Sequence, residues 1–420
     1  MDLMGWPTRR SMGILVIGLF FLTFTSFFFL RIGFFISGIL FSLVFWSFLR
    51  GWNCLGGIRC ERQVQEETME GEEVPVILRL GHSANKKEVT DLLIKDSFPP
   101  AQSESPVFIY SPKVSLKTPQ EFSYSRICDK RGVYTLGPVV LKSADRYGCF
   151  AQKKTFPLKS RMVVYPKIFD LSSFPTLSRG TTAQMGLSSG KREGDSGDYF
   201  AIREYQQGDT LKNVHWRATA RNQSLFVKQF ERLADSEVTL FLDLDPASNI
   251  GRGSESALEA SIRLSASIAK YLMLKDILVQ LIAHQEQPIL LPLGKGHEHL
   301  ANCLEILATL SANGKLSLAE LIEEYEEQVA PDTTVVVSLL DTDREAISAL
   351  AILRQKGVAI VLLVFISDAF RVSDPNYRLE KLPFADLYAH LGAQVYVVRP
   401  YGYEELVRQF NESESLTPYS

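Results

Sequence analysis

Residues 237–245 read Glu237-Val-Thr-Leu-Phe-Leu-Asp243-Leu-Asp245. The run 238–242 has the apolar character of a parallel strand buried on both faces, and the two acids close it. Downstream, residues 254–274 have helical periodicity: Leu258, Ile262, Ala269 and Leu272 face inward, while Glu259, Arg263, Ser267 and Lys270 recur as a solvated stripe. Strands follow at 277–283 and near 289–293, then helices at 300–310 and 318–328. Strand 334–340, helix 344–355, strands 358–365 and 394–398 and a helix near 404–410 complete the pattern. Such alternation predicts a doubly wound α/β domain over 236–411, with a tail at 412–420. Gln285-Glu-Gln-Pro288, between two close strands, predicts an antiparallel hairpin at one edge of the sheet.

Upstream, the pattern changes. Val74, Val76, Leu78 and Leu80 alternate with polar residues at a period of two, and short strands are predicted at 107–110, 122–127, 133–136, 139–142 and 162–165. These make a small antiparallel β-sandwich over 51–166. Residues 167–235 read as a connector, with a Ser- and Gly-rich loop over 166–200. One fragment, Gly186-Leu-Ser-Ser-Gly190-Lys-Arg192, is not a phosphate loop: its glycines are one residue too close, and Arg192 stands where Ser or Thr would hold Mg²⁺.

The first fifty residues differ again. Residues 11–49 hold one ionised side chain, Arg31. A single helix of that length would span roughly 58 Å, against roughly 30 Å of hydrocarbon. Two passes, 12–30 and 32–49, fit better, with Arg31-Ile-Gly33 as the break, so a transmembrane helical hairpin is expected over 1–50. Arg9 and Arg10 precede it and Arg50, Arg59 and Arg62 follow, which places both ends in the cytoplasm. Trp6, Trp46 and Trp52 lie near the ends, where amphipathic rings prefer the interface. The competing readings are a cleavable signal peptide, which lacks a small-residue cleavage site, and a single signal-anchor with the soluble part outside. The expectation is a multi-pass protein of the cytoplasmic membrane, with the bilayer as one partner and its soluble domains in the cytoplasm.

Composition narrows the function. A net charge of −3 over 420 residues gives no broad basic surface, so nucleic acid is not an expected partner. Five scattered cysteines form neither a disulfide framework nor a zinc spacing.

Ligands of open α/β sheets bind beyond the carboxyl ends of the strands. Asp243 and Asp245 end the first strand here, and Asp341 and Asp343 end the fourth. A von Willebrand factor A-type domain places a metal motif, Asp-x-Ser-x-Ser, at the first position; the matching residues are Asp243, Asp245 and Ala247. Asp243, Asp245 and Asp341 therefore form a degenerate set. No cofactor is expected, Mg²⁺ is the ion such oxygens would take, and helix and turn capping is the other reading. His297 and His299 flank Glu298 without a repeat of the pattern and read as a loop. A denser group comprises Arg203, Asp209, His215, Trp216, Arg217 and Arg221. It is read as an Arg–carboxylate junction packed on Trp216, as a docking surface, or as an acid–base site lacking a nucleophile.

That group carries a resemblance. Arg203-Glu-Tyr-Gln-Gln-Gly-Asp209, Val214-His-Trp-Arg-Ala-Thr-Ala-Arg221 and Leu225-Phe-Val-Lys228, followed by Phe230-Glu231, resemble the signature of the bacterial family catalogued as domain of unknown function 58. Arg131-Gly-Val-Tyr-Thr-Leu-Gly-Pro138, Asp145-Arg-Tyr-Gly-Cys-Phe150 and the N-terminal passes resemble the same family. The resemblance implies a von Willebrand A-like domain and work beside a MoxR-type AAA+ ATPase, as a membrane-bound, non-enzymatic adaptor or assembly factor. A membrane-bound hydrolase of peptides or envelope material is the alternative. Cys303, in a helical run without a spaced His or acid, favours the adaptor.

Overall fold

Two apolar helices lead the chain in the computed structural model, α1 (Arg9–Phe28) and α2 (Arg31–Gly51), each long and apolar enough to cross a bilayer. The structure describes residues 6–28, 31–51, 54–82, 88–101, 105–115, 118–145, 147–175, 193–204, 215, 219, 225–231, 237–374, 377 and 382–412. It divides into two units, Met1–Lys167 and Ile168–Ser420.

The helices pack through small residues. Ser11, Gly18 and Thr25 recur every seven positions on the buried face of α1, and Gly33, Ser37, Val44 and Ser47 answer from α2. A Cβ on Gly33 would lie 1.7 Å from Thr25 Cγ2, so only glycine permits this approach. Two of the buried hydroxyls bond within their own helices, Thr25 to the Phe21 carbonyl at 2.6 Å and Ser37 to the Phe34 carbonyl at 3.1 Å. Phe20, Phe27, Phe35 and Phe45 point outward, exposed.

The rest of the first unit is β-rich. A five-stranded antiparallel sheet runs β1 (Trp6–Pro7), β10 (Phe150–Phe156), β9 (Val139–Ala144), β5 (Glu88–Asp96), β6 (Val107–Ser115). A second sheet orders β2 (Ile58–Gln63), β4 (Glu73–His82) and β7 (Gln120–Ile127); a third orders β3 (Glu67–Met69), β11 (Ser160–Tyr165) and β8 (Gly132–Leu136). Leu78 and Leu80 of β4 pack against Leu92 and Ile94 of β5 and Leu141 of β9, which is the core that the period-two pattern predicts. The sandwich is not wholly antiparallel, since β3 pairs with β11 in parallel. Buried inside it, Arg62 holds Asp96, which also accepts from Tyr124 Oη at 2.8 Å. Burial and the Asp96 carboxylate drive the Tyr124 hydroxyl far above its ordinary range.

In the second unit, β12 (Glu193–Glu204) and β13 (Phe226–Glu231) form an antiparallel ribbon. The expected loop over 166–200 is thus corrected at its end. Gly194, Ser196 and Gly197 resemble turn residues but stand where the register shifts between Gly194, Tyr199 and Ala201, an irregularity that strand glycines accommodate.

The main sheet contains β14 (Glu237–Leu242), β15 (Leu278–His284), β16 (Pro288–Gly294), β17 (Thr334–Leu340), β18 (Ala359–Phe365) and β19 (Gln394–Val398). Their order, β16-β15-β14-β17-β18-β19, is the doubly wound 3-2-1-4-5-6, with β16 antiparallel at the edge as the Gln285–Pro288 turn predicts. Helices α3 (Ala257–Leu274), α4 (His297–Thr309), α5 (Leu318–Tyr325) and α6 (Arg344–Gln355) connect the strands, and α7 (Ser367–Val372), α8 (Ala385–Leu391) and α9 (Tyr403–Glu412) follow. The solvated stripe expected on α3 is also corrected: Glu259, Arg263 and Ser267 are 1–4% exposed. Residues from outside α3 cover them. The Phe169 amide donates to Ser267 Oγ at 2.9 Å, and Phe169 stacks on Tyr403, centroids 5.0 Å apart. Arg263 pairs with Glu255 at 3.0 Å and donates to Tyr403 Oη at 3.2 Å. A polar stripe is therefore buried because its partners are also polar.

Candidate functional site

The switch point of the sheet lies between β14 and β17, whose helical connections depart in opposite directions. After β14 the chain must turn at once, and its acids make that turn. Asp243 Oδ1 accepts from the Asp245 amide and Asp245 Oδ1 from the Ala247 amide, both at 2.9 Å. Asn249 Oδ1 accepts from the Leu258 amide at 3.2 Å and fixes the start of α3. At the end of β17, Asp343 caps α6 through the Ala346 amide at 3.0 Å. Buried Asp341 accepts from the Ser367 amide at 3.0 Å and from the Ser367 hydroxyl.

Asp243 has a displaced acidity. Burial pushes its carboxyl from 3.8 to about 6, against the opposing hydrogen bonds of Ser248 and of the Asp245 amide, and with the nearby charges of Asp245 and Asp343 adding to the rise. It opens on a cavity of about 20 Å³, also lined by Ser248, Asn249, Ser261 and Ser338. That volume suits one water-sized species. Ser261 is 4% exposed, and its hydroxyl has no hydrogen-bond partner among the described residues.

The structure separates the candidates that sequence grouped. Asp243, Asp245 and Asp341 do not form one ligand set, because Asp245 turns to its own loop and Asp341 to Ser367. Among the described residues no three His, Cys, Asp or Glu side chains converge as metal ligands. His299 serves the fold: its Nε2 lies 2.8 Å from the Val279 carbonyl, and its ring fills the space beside Gly294. Cys303 is fully buried, and its thiol is pushed up to about 12 by that burial, so it is not a reactive nucleophile.

Of the signature group, Arg203 lies on β12, opposite Val227. The His215 amide donates to the Phe226 carbonyl at 2.8 Å, and the Thr219 hydroxyl accepts from the Phe226 amide at 3.0 Å, so this turn is laced to β13. Asp209, Trp216, Arg217 and Arg221 lie outside the described residues.

Sequence reading gave no role to Asp145-Arg-Tyr-Gly-Cys-Phe150. In the first unit this loop grips the helical hairpin. Asp145 accepts from the Phe150 amide at 2.6 Å, the Tyr147 amide at 3.1 Å and the Ser47 hydroxyl of α2. Thr8, before α1, donates from its hydroxyl to the Gly148 carbonyl at 2.6 Å and from its amide to the Cys149 carbonyl at 2.9 Å. Phe150 packs edge-on against Phe48, and β1 pairs with β10. The available signal was a buried acid followed by Gly in a tight turn, but its partners are 98 and 140 residues away.

The family described as protein of unknown function DUF58 matches residues 201–375. Uncharacterized protein YeaD of Bacillus subtilis (strain 168) is 24% identical over 273 residues, 63% of this chain and 64% of that protein, so the match spans less than two thirds of the relative. Among solved structures, proximal thread matrix protein 1 from the mussel byssus aligns at 12% identity over 44% of this chain and 47% of its own, with a TM-score of 0.29. The PKD domain of an M14-like peptidase from Thermoplasmatales archaeon SCGC AB-540-F20 aligns at 10% over 25% of this chain and 91% of its own, with a TM-score of 0.16. Neither structural likeness bears on function at those scores. The segment 201–375, from the end of β12 through the switch point to the residues after α7, is the part of the chain that matches the DUF58 family of proteins of unknown function.

Proposed function

We propose that the protein is a membrane-anchored, non-enzymatic adaptor. Its helical hairpin sits in the cytoplasmic membrane, its soluble domains face the cytoplasm, and its α/β domain is von Willebrand A-like and docks a partner at the switch point. The observation that carries this reading is the grip of the Asp145–Phe150 loop on both helices of the hairpin. A β-domain hydrogen-bonded to the ends of two apolar helices is held at the surface rather than tethered near it. Basic residues at those ends, Arg9, Arg10 and Arg59, support the cytoplasmic orientation. The 3-2-1-4-5-6 sheet order and the acids at its carboxyl end support the docking place. A MoxR-type AAA+ ATPase is the partner that the family resemblance implies.

The test is site-specific photocrosslinking in native membranes from Ala247, which is exposed beside the Asp243 turn. An adduct containing an AAA+ ATPase, lost when the probe is moved to exposed Leu274, supports the adaptor reading. No such adduct from any probe around the switch point would sink it. Reporter fusions after residues 60 and 420 should both be active only as cytosolic reporters, and periplasmic activity at either would overturn the orientation.

A further inference from the structure

We propose that the hairpin-proximal end of the β-domain is a binding surface for anionic phospholipid headgroups, an inference that rests on the membrane-anchored reading above. The argument starts from topology. The loop that joins β9 to β10 holds the hairpin, so Ala144, Phe150 and Ala151 mark the end of the five-stranded sheet nearest the apolar helices. Along those two strands side chains alternate: Ser143 and Gln152 are buried, whereas Lys142 and Lys153 are exposed and directly opposite each other. Lys153 stands three residues beyond Phe150, about 10 Å along the strand at about 3.3 Å per residue. That distance is close to the Debye length of about 8 Å at physiological ionic strength.

Three more exposed cations gather at the same end. Arg9 and Arg10 open α1, with the Arg10 guanidinium over Gly148, and Arg59 lies on β2 one residue after the strand begins. Among the described residues none of these five cations has an ion-pair partner. Three acids of this end are engaged elsewhere: Asp145 turns inward to Ser47 and to backbone amides, Glu88 pairs with Lys113 at 3.1 Å, and Asp91 accepts from Tyr110 Oη at 2.7 Å. Exposed Glu61, two residues beyond Arg59 on β2, is among the described residues the single acid set against the five cations. Exposed Tyr147 projects from the gripping loop, a ring of the kind favoured at the headgroup level. The opposite end of the hairpin has Arg31 alone. Unpaired basic groups and an aromatic tip, on the face from which the apolar helices leave, complement a negatively charged leaflet.

The full chain is reconstituted in vesicles of phosphatidylcholine containing equal fractions of either brominated phosphatidylglycerol or brominated phosphatidylcholine. Quenching of Trp6 and Trp46, at the hairpin's ends, then reports which lipid is enriched there. The expected result is a preference for phosphatidylglycerol of at least about five-fold in 50 mM salt, the factor that one basic residue near the surface supplies. It should fall towards unity in 1 M salt and in the triple variant Arg10→Gln, Lys142→Gln, Lys153→Gln. All three positions are exposed, so the variant should keep its quenching by the brominated phosphatidylcholine. Equal quenching by the two lipids in the wild-type chain, or a preference unchanged in the variant, would overturn the headgroup surface and leave the anchor standing. Quenching by neither lipid would overturn the anchor and this inference together.

Discussion

Asp243→Asn should stabilise the protein at neutral pH, against the ordinary expectation for removing a buried charge that has hydrogen bonds. The folded carboxyl titrates at about 6 rather than 3.8, chiefly because it is buried. The native state therefore holds the proton more tightly than the unfolded chain. Stability from this group is complete below pH 3.8 and is lost as pH rises to about 6. The difference corresponds to about 3 kcal/mol at pH 8 and about 1 kcal/mol at pH 4.5. Screening at the group's solvent edge trims the first figure to about 2 kcal/mol. Asparagine keeps the oxygen that accepts from the Asp245 amide and removes the charge. Thermal unfolding of the full chain in detergent, wild type against variant, should show a rise in Tm of about 4–8 °C at pH 8 for the transition of the α/β unit. The gain should shrink by more than half at pH 4.5. A variant less stable at pH 8, or a gain that does not change with pH, would show that Asp243 is held by its partners and not strained by burial.

Asp145→Ala should leave the Phe150 and Tyr147 amides and the Ser47 hydroxyl without their acceptor, at about 1–3 kcal/mol for each buried donor, and limited proteolysis should then cut between β9 and β10. Gly33→Leu should force α1 and α2 apart, which disulfide trapping between cysteines placed at Gly18 and Leu40 would report as lost crosslinking. Arg62→Ala should cost about 3–5 kcal/mol by leaving Asp96 charged and buried, and the double variant Arg62→Met, Asp96→Leu should recover most of that in denaturant unfolding.

The sequence reveals most where one element decides its own burial. β18 is apolar throughout, and β14 and β17 nearly so, because they lie inside a parallel sheet, and β4 alternates because one face meets the core. It misleads where a distant segment decides. Glu259, Arg263 and Ser267 have the spacing of a solvated stripe, yet Phe169, Glu255 and Tyr403 come over them. The strand β12 is obscured by glycines that its irregular pairing needs. At the candidate site Asp243 is legible from its place after a strand. Ser261 and Ser338, which complete its cavity, come from α3 and β17 and have no local signature. The Ser47–Asp145 contact is the extreme case, since neither residue alone signals the other.

The pairing of β1 with β10 also sets an order of events during synthesis. Trp6 lies opposite Ala151, a separation of 145 residues (151 − 6). At about 5–20 residues per second, about 7–30 s elapse between the emergence of the first strand and that of its partner. Once Gly51 has been added, and for the remaining 100 residues of that interval (151 − 51), the hairpin between β1 and β2 is already made, while Thr8 and Ser47 lack the loop that will hold them. The apolar hairpin is thus complete before the domain that fastens it, and the later strands of the β-domain act as a latch that closes on helices already in place.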